Sequence, residues 1–500
     1  MAPELDTPAG ADRSDDVDVL DSGQAGGIAI RGGMIRTGGH VAALAMSLAS
    51  APFMIRHLGE VDYGYYMTVS AILFIVGGAT EAGLTQLGVK RYAALDSADR
   101  PEFLRVLVGL RLALTVVGVA FAAAFSAVTG QPAVVVAGTA IMGLGLLLSL
   151  TQQTYAVSLS SQLKLGWVAG LDFIASFSLA VATIFLVVVG ASLIPFFWAA
   201  VFSGGTLLTV TLLVLRQDAG LLPRFDLPQW RSIMREILPY ALAAAVGLIY
   251  FRLAIVIMSY ISTDRETGIY SAAQRIVEAV AALPWLVTSA GFPILARAAR
   301  DDEVRLRSAL QRLFEVTLLL GGGAAIIGVA GAKFAVAVVA GPDFKDSVAV
   351  LQILVCSLLM TFLVATWSSA LLSIGEYRRI LWANLGALVT TGVLSLALIP
   401  SLGANGAAIA TVSAETALAL GYLVALGHHD RRLVPGFGVA LRLLPGAALA
   451  TAFGLLASLP SVVESLACGA IYFGGAVLLR AVPPEVLHAL LRRDREPPTG

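Results

Sequence analysis

Two nine-residue stretches decide how this chain folds: Leu58-Gly-Glu-Val-Asp-Tyr-Gly-Tyr-Tyr66 and Ser262-Thr-Asp-Arg-Glu-Thr-Gly-Ile-Tyr270. Both contain acid-x-acid-x-Gly-x-Tyr, as Glu60, Asp62, Gly64 and Tyr66 and again as Asp264, Glu266, Gly268 and Tyr270, at a constant offset of 204 residues. Each closes one long apolar run and opens the next. Runs of this kind recur from Met34 to Val482, most near the ~20 residues that cross a ~30 Å hydrocarbon core. The chain is 58% hydrophobic and 13% charged with a mean hydropathy of +0.85, against about 25% charged residues in soluble domains. Only helices or closed barrels satisfy their backbone in lipid, and the runs lack the alternation of barrel strands. The expectation is an all-α polytopic membrane protein of about fourteen transmembrane helices: 34–55, 64–88, 104–127, 133–158, 167–189, 194–215, 237–261, 269–295, 312–332, 347–372, 380–399, 404–427, 443–459 and 464–482.

Basic residues set the orientation. With the N-terminus in the cytoplasm, 26 of the 33 Lys and Arg fall in cytoplasmic segments. Only Arg56, Arg265, Lys333 and Lys345 fall outside, and Arg111, Arg252 and Arg275 lie within spans. Both ends are therefore expected inside. The two motif copies each follow the first span of a block of six, so the blocks run the same way across the membrane. Parallel repeats about an axis along the membrane normal are a transporter architecture with the substrate between the halves. The resulting division is a disordered acidic cytoplasmic tail (1–30), an N-terminal lobe of helices 1–6 (31–215), a cytoplasmic linker (216–236), a C-terminal lobe of helices 7–12 (237–427), helices 13–14 (428–482) and a cytoplasmic tail (483–500). The first segment holds Glu4, Asp6, Asp12, Asp15, Asp16, Asp18 and Asp21 among small residues, too little apolar surface to order itself, and it lacks the basic n-region and apolar core of a signal peptide.

Gly268-Ile-Tyr-Ser-Ala-Ala-Gln-Arg-Ile276, Leu283-Pro-Trp and Gly291-Phe-Pro-Ile-Leu, with Ile55 to Tyr66 and Gly83-Leu-Thr-Gln-Leu in the first half, resemble the polysaccharide flippases of the multidrug/oligosaccharidyl-lipid/polysaccharide exporter superfamily. The resemblance covers roughly residues 34 to 427. It implies two six-helix lobes in a V around a central cavity, and transbilayer movement of polyprenyl-linked sugars by alternating access. Many relatives carry an acid early in span seven, where this chain reads Tyr250-Phe-Arg-Leu253. That departure argues against cation coupling of the drug-antiporter kind and suits an anionic diphosphate cargo.

Charge inside the membrane costs at least about 2.5–3.5 kcal/mol per residue and needs a reason. Arg252 lies about 22 Å from the cytoplasmic start of span seven at ~1.5 Å per residue. Two readings stand for it: bidentate contact with a pyrophosphate headgroup, or a buried ion pair or outward snorkelling. Arg275 and Glu278 share a face of span eight, as a self-neutralising pair or as ligands of headgroup and sugar. Trp285 lies near the same stripe, either in the core or stacking on a sugar. Glu415, near the middle of span twelve, pairs internally or titrates as a coupling group. Arg111 and Asp172 are expected to snorkel to the cytoplasmic interface, or else to line the cavity as polar groups. Glu81, Gln86, Gln152 and Gln153 form a polar belt near the inner face, lining the entrance or bonding between helices.

Catalytic readings fare poorly. No Gly-Lys dipeptide exists, so a phosphate-cradling loop for ATP-driven export is excluded. Cys356 and Cys468 sit singly in apolar runs and the five histidines form no ligand cluster, so neither metal nor cofactor is expected. Glu60-x-Asp62 is like the acidic motif of lipid-sugar glycosyltransferases, but those have large external loops that this chain lacks. The expectation is a non-enzyme: a flippase for a polyprenyl-diphosphate-linked oligosaccharide in a bacterial cytoplasmic membrane, acting beside the polymerase or glycosyltransferases of its pathway and binding no nucleic acid. The alternatives are a multidrug or small-solute cation-coupled antiporter and a membrane glycosyltransferase or ligase. Arginine far outnumbers lysine, which suggests a GC-rich bacterial genome.

Overall fold

The computed structural model describes residues 25–482 apart from 82, 163, 216–221, 302 and 458. Most of the acidic tail, the start of the linker and the C-terminal tail lie outside the described residues. Among the described residues there is no strand, and fifteen α-helices follow one another: α1 Ala25–Glu81, α2 Leu84–Ala94, α3 Arg100–Val128, α4 Ala133–Tyr155, α5 Val157–Ser161, α6 Leu165–Val189, α7 Leu193–Val214, α8 Leu227–Ile261, α9 Asp264–Asp301, α10 Glu303–Val339, α11 Ser347–Leu354, α12 Cys356–Ser373, α13 Tyr377–His429, α14 Gly438–Leu456 and α15 Ser461–Leu478.

All fourteen expected spans fall on helices, though not one to one. Spans one and two run together as α1, turned at Gly59 (φ +71°), and spans eleven and twelve as α13, turned at Gly403 (φ +54°). A positive φ is open to glycine without steric cost, so a glycine alone reverses the chain at each site. Among the described residues, eight further helical stretches are long and apolar enough to span a membrane. Helix α8 adds a further apolar stretch over Ala245–Ile261, and α9 follows it from Asp264 to Asp301. Those two are the helices that carry Arg252 and the Arg275–Glu278 pair.

Packing sorts the helices. α1 lies against α3, α4 and α6, and α7 against α4 and α6; in the second half α8 lies against α13, and α12 against α9, α10 and α13. Helices α14 and α15 pack on each other and on α10, around buried Tyr472 and Cys468. Leu456, Val188 and Val117 stand on the outside with most of their surface exposed, as side chains facing lipid do. Helix α1 also lies along α8 and α9, forming a seam between the groups where Ile55, Tyr63 and Met67 share a core with Ile255, Met258 and Tyr270.

The repeated loops meet at one end of this seam. Gly64 rests on the Asp264 carbonyl and the Gly268 nitrogen; Gly268 rests on the Glu60 carbonyl and the Gly64 nitrogen. A Cβ on either glycine would overlap the facing carbonyl oxygen. The contact is reciprocal, as contacts about a two-fold axis are. Each tyrosine of the repeat turns back into its own half: Tyr66 stacks on Phe197 of α7 at 6.0 Å and the Tyr270 hydroxyl meets Thr411 of α13 at 2.8 Å. Around this contact Arg265 pairs with Glu60 (2.7 Å) and Asp346 (2.6 Å). The hydrogen bond to Asp346, then the charge of Glu60, raise the Arg265 pKa above its ordinary value. Gln131 donates to the Ser259 carbonyl (3.0 Å) and Thr129 to the Tyr260 hydroxyl (3.0 Å). The seam is shut at this end.

Candidate functional site

Along the seam, about 10–15 Å from Ser262 and Gly268 of the repeated loop at ~1.5 Å per residue, three charges converge from two helices. Arg252 on α8 donates to Glu278 on α9 at 2.7 Å, and Arg275 reaches the other oxygen of the same carboxylate at 3.4 Å. The two readings of the sequence are thus joined: the intrahelical pair exists, and Arg252 shares its carboxylate. Both arginines also touch α1. Arg275 donates to the Ser47 hydroxyl at 2.7 Å, and the Arg252 guanidinium lies 4.9 Å from the Phe74 ring centroid and 5.0 Å from that of Phe251. Such cation–π contacts strengthen where water is scarce. The Arg252 and Glu278 side chains are each only 12% exposed. Two guanidiniums against one carboxylate leave the cluster one positive charge in excess.

Trp285 lies seven residues beyond Glu278 and is 53% exposed, so its indole is free to meet a ligand or lipid and is not part of the core. Glu415 lies apart, in a small cavity of about 50 Å³ inside the second helix group, lined by Tyr250, Tyr270, Gln274, Glu278, Thr411 and Glu415. That is room for a very few waters. Glu415 accepts a hydrogen bond from Tyr250 at 2.5 Å. Glu278 lines this cavity as well as the seam, so the two acids face one cavity from different helices.

The remaining candidates sit in the first helix group. Arg111 does not snorkel. It is wholly buried and pairs with Glu81, while its Nε donates to Thr154 (3.1 Å) and its terminal nitrogens to the Thr80 carbonyl (3.1 Å) and the Thr85 hydroxyl (3.0 Å). The cause is the break between α1 and α2, where Gly83 takes a φ of +85°. An interrupted helix leaves carbonyls without partners, and Arg111 on α3 fills that gap. Distance to a span boundary could not reveal this, because it assumes an unbroken helix. The polar belt likewise divides: Glu81 belongs to the Arg111 knot, buried Gln152 donates to Thr211 of α7 at 3.1 Å, and Gln86 and Gln153 are exposed. Asp172 is half-buried on α6. None of these joins the central cluster. Ser47 and Phe74 do, and nothing in the sequence distinguishes them from other small or apolar residues of α1. Among the described residues no group of His, Cys, Asp and Glu is placed to hold a metal ion.

Residues 53–349 match the family described as "Polysaccharide biosynthesis protein". The chain belongs to that family. The resemblance seen in the sequence extends to solved structures of the wider superfamily. The chain is similar to the lipid II flippase MurJ in its inward closed conformation, with a TM-score of 0.70 and 14% identity over 92% of this chain and 100% of that one. It is also similar to a multidrug resistance MATE family transporter of the MOP superfamily in its inward-facing conformation, with a TM-score of 0.65 and 14% identity over 78% of this chain and 95% of that one. An outward-facing transporter of that kind aligns with a TM-score of 0.55 and 15% identity over 81% of this chain and 96% of that one. At such identities the likeness is one of fold: a multi-pass helical bundle in two lobes. No curated protein matches the chain by sequence.

Proposed function

We propose that this member of the polysaccharide biosynthesis family is an alternating-access flippase. It moves a polyprenyl-diphosphate-linked oligosaccharide from the cytoplasmic to the outer leaflet of a bacterial cytoplasmic membrane, with both chain ends and the basic loops inside. The observation that carries this reading is the central cluster, where Arg252 and Arg275 share one carboxylate between the lobes and retain an excess positive charge. A diphosphate presents paired oxygens that match guanidinium forks, and burial strengthens the attraction. Trp285 offers an aromatic face to a sugar.

The repeated-loop end faces outward in this arrangement, so the conformation is closed to the outside. The Glu278 carboxylate is engaged by two arginines, and Glu415 sits behind it in the C-terminal lobe rather than on the seam. A cationic drug therefore finds no lone acid between the lobes, which disfavours the antiporter. Glu415 remains a candidate coupling group, hydrogen-bonded to Tyr250. The chemistry on the seam binds and moves cargo rather than transforming it, and the polymerase or glycosyltransferases of the pathway act on either side of this step. Depleting the protein in its native cell tests the reading: lipid-linked glycan should accumulate on the cytoplasmic leaflet, and Arg252→Ala or Arg275→Ala should fail to relieve it. Altered drug sensitivity without accumulation would overturn it.

A further inference from the structure

The central cluster has a feature that cargo binding alone does not require: its two arginines are already occupied by an anion of the protein's own. Glu278 offers one oxygen to Arg252 at 2.7 Å and the other to Arg275 at 3.4 Å, the two-oxygen, two-guanidinium pattern that a diphosphate would also adopt. The carboxylate is 12% exposed. The groups facing it are Arg252 from α8, Arg275 from its own helix and, across the cavity, Tyr250, Tyr270 and Glu415. Among the described residues these two arginines are the cations it is paired with.

We infer that Glu278 is a built-in stand-in for the cargo's diphosphate, which competes for Arg252 and Arg275 and is displaced when cargo binds. This rests on the flippase reading and deepens it. With cargo absent, Glu278 holds both guanidiniums in a cargo-ready geometry and lowers the cost of two buried cations. When diphosphate arrives, the carboxylate becomes a like charge beside it and weakens the complex. That repulsion keeps the bound state shallow, so cargo can leave once the lobes have moved. The same exchange loosens the lobes. Arg275 holds α1 through Ser47 and Arg252 lies on Phe74 of α1, so drawing the guanidiniums toward diphosphate withdraws them from the opposite lobe. Glu278 is thus a positioning residue whose charge sets affinity against release.

The test uses the purified full chain in lipid nanodiscs, titrated with inorganic pyrophosphate in one arm and with polyprenyl diphosphate in the other. Glu278→Gln keeps the shape and removes the charge. It should bind both probes more tightly, on the order of tenfold or more, the scale on which a neighbouring charge acts. Its flipping should show a lowered KM together with a lowered kcat, a split that mere loss of structure does not produce. Glu278→Asp keeps the charge and should stay near wild type in both arms, which guards against a folding defect in the amide variant. Unchanged or weaker binding by Glu278→Gln, with binding still abolished by Arg252→Ala, overturns the stand-in role and leaves the flippase reading intact. Absence of binding by wild type and every variant in both arms overturns the two together. Binding of pyrophosphate equal to that of polyprenyl diphosphate supports the competition and identifies the headgroup, not the lipid, as what Glu278 imitates.

Discussion

Arg111 shows what a single buried charge does when it is not part of a transport path. Its guanidinium ties α3 to the broken end of α1, to α2 and to α4 through Glu81, Thr80, Thr85 and Thr154. Removing one partner of a buried pair leaves the other uncompensated, at a cost of about 3–5 kcal/mol. Arg111→Ala should therefore lower the thermal unfolding midpoint in detergent sharply, and Arg111→Met with Glu81→Gln should recover part of the loss. An unchanged midpoint for the single variant would refute this role. The sequence made charged residues within apolar spans conspicuous, so Arg252, Arg275, Glu278 and Glu415 could be named from it. It could pair Arg275 with Glu278, three apart on one helix, but not Arg252 with that carboxylate, nor the arginines with Ser47 and Phe74, which are neutral and sit some two hundred residues away. The burial of Arg111 escapes the sequence for a related reason, since the helix break that brings Glu81, Thr85 and a freed carbonyl to it has no signature in the apolar spacing.

At the scale of elements, the informative objects are the glycine-bearing ends of helices. The spacing of apolar runs yields the number of spans, and the repeated motif yields their division, because both depend on residue type alone. The close approach of Gly64 and Gly268 depends on two backbones meeting, which no local pattern encodes. Gly64→Leu and Gly268→Leu should each prop the repeated-loop end apart. In a cysteine-crosslinking assay across that end, the bond formed readily in an otherwise wild-type background should fall at least severalfold, with flipping reduced alongside. Undiminished crosslinking would mean that the contact is not a closing surface. Gly403 makes a second case: its φ of +54° and the capping of the Ala404 nitrogen by Glu266 at 2.7 Å join the repeat loop to the turn between spans eleven and twelve. Glu266→Ala should cost about 1 kcal/mol, as loss of a helix N-cap does, read as a modest fall in unfolding midpoint; a change as large as that of Arg111→Ala would contradict it.

On the scale of the whole molecule, the account joins three levels. Apolar composition with broken helices yields the bundle, repetition yields two lobes with a seam, and α8 and α9 place a net positive cluster partway along it. The family match and the two-lobed likeness agree with this order of reasoning, and the cargo is read from the cluster's chemistry. The account's central claim is that the seam carries a lipid-linked diphosphate glycan from one leaflet to the other. The measurement that meets it most directly is leaflet-resolved flipping in proteoliposomes holding the purified chain and a fluorescent polyprenyl-diphosphate oligosaccharide. The account predicts protein-dependent loss of the probe's protection from an external quencher or hydrolase, with Arg252→Ala and Arg275→Ala each slower by at least about tenfold, the scale of a lost charge-assisted contact. Probe movement equal to that of protein-free vesicles, or movement indifferent to both arginines, would contradict it.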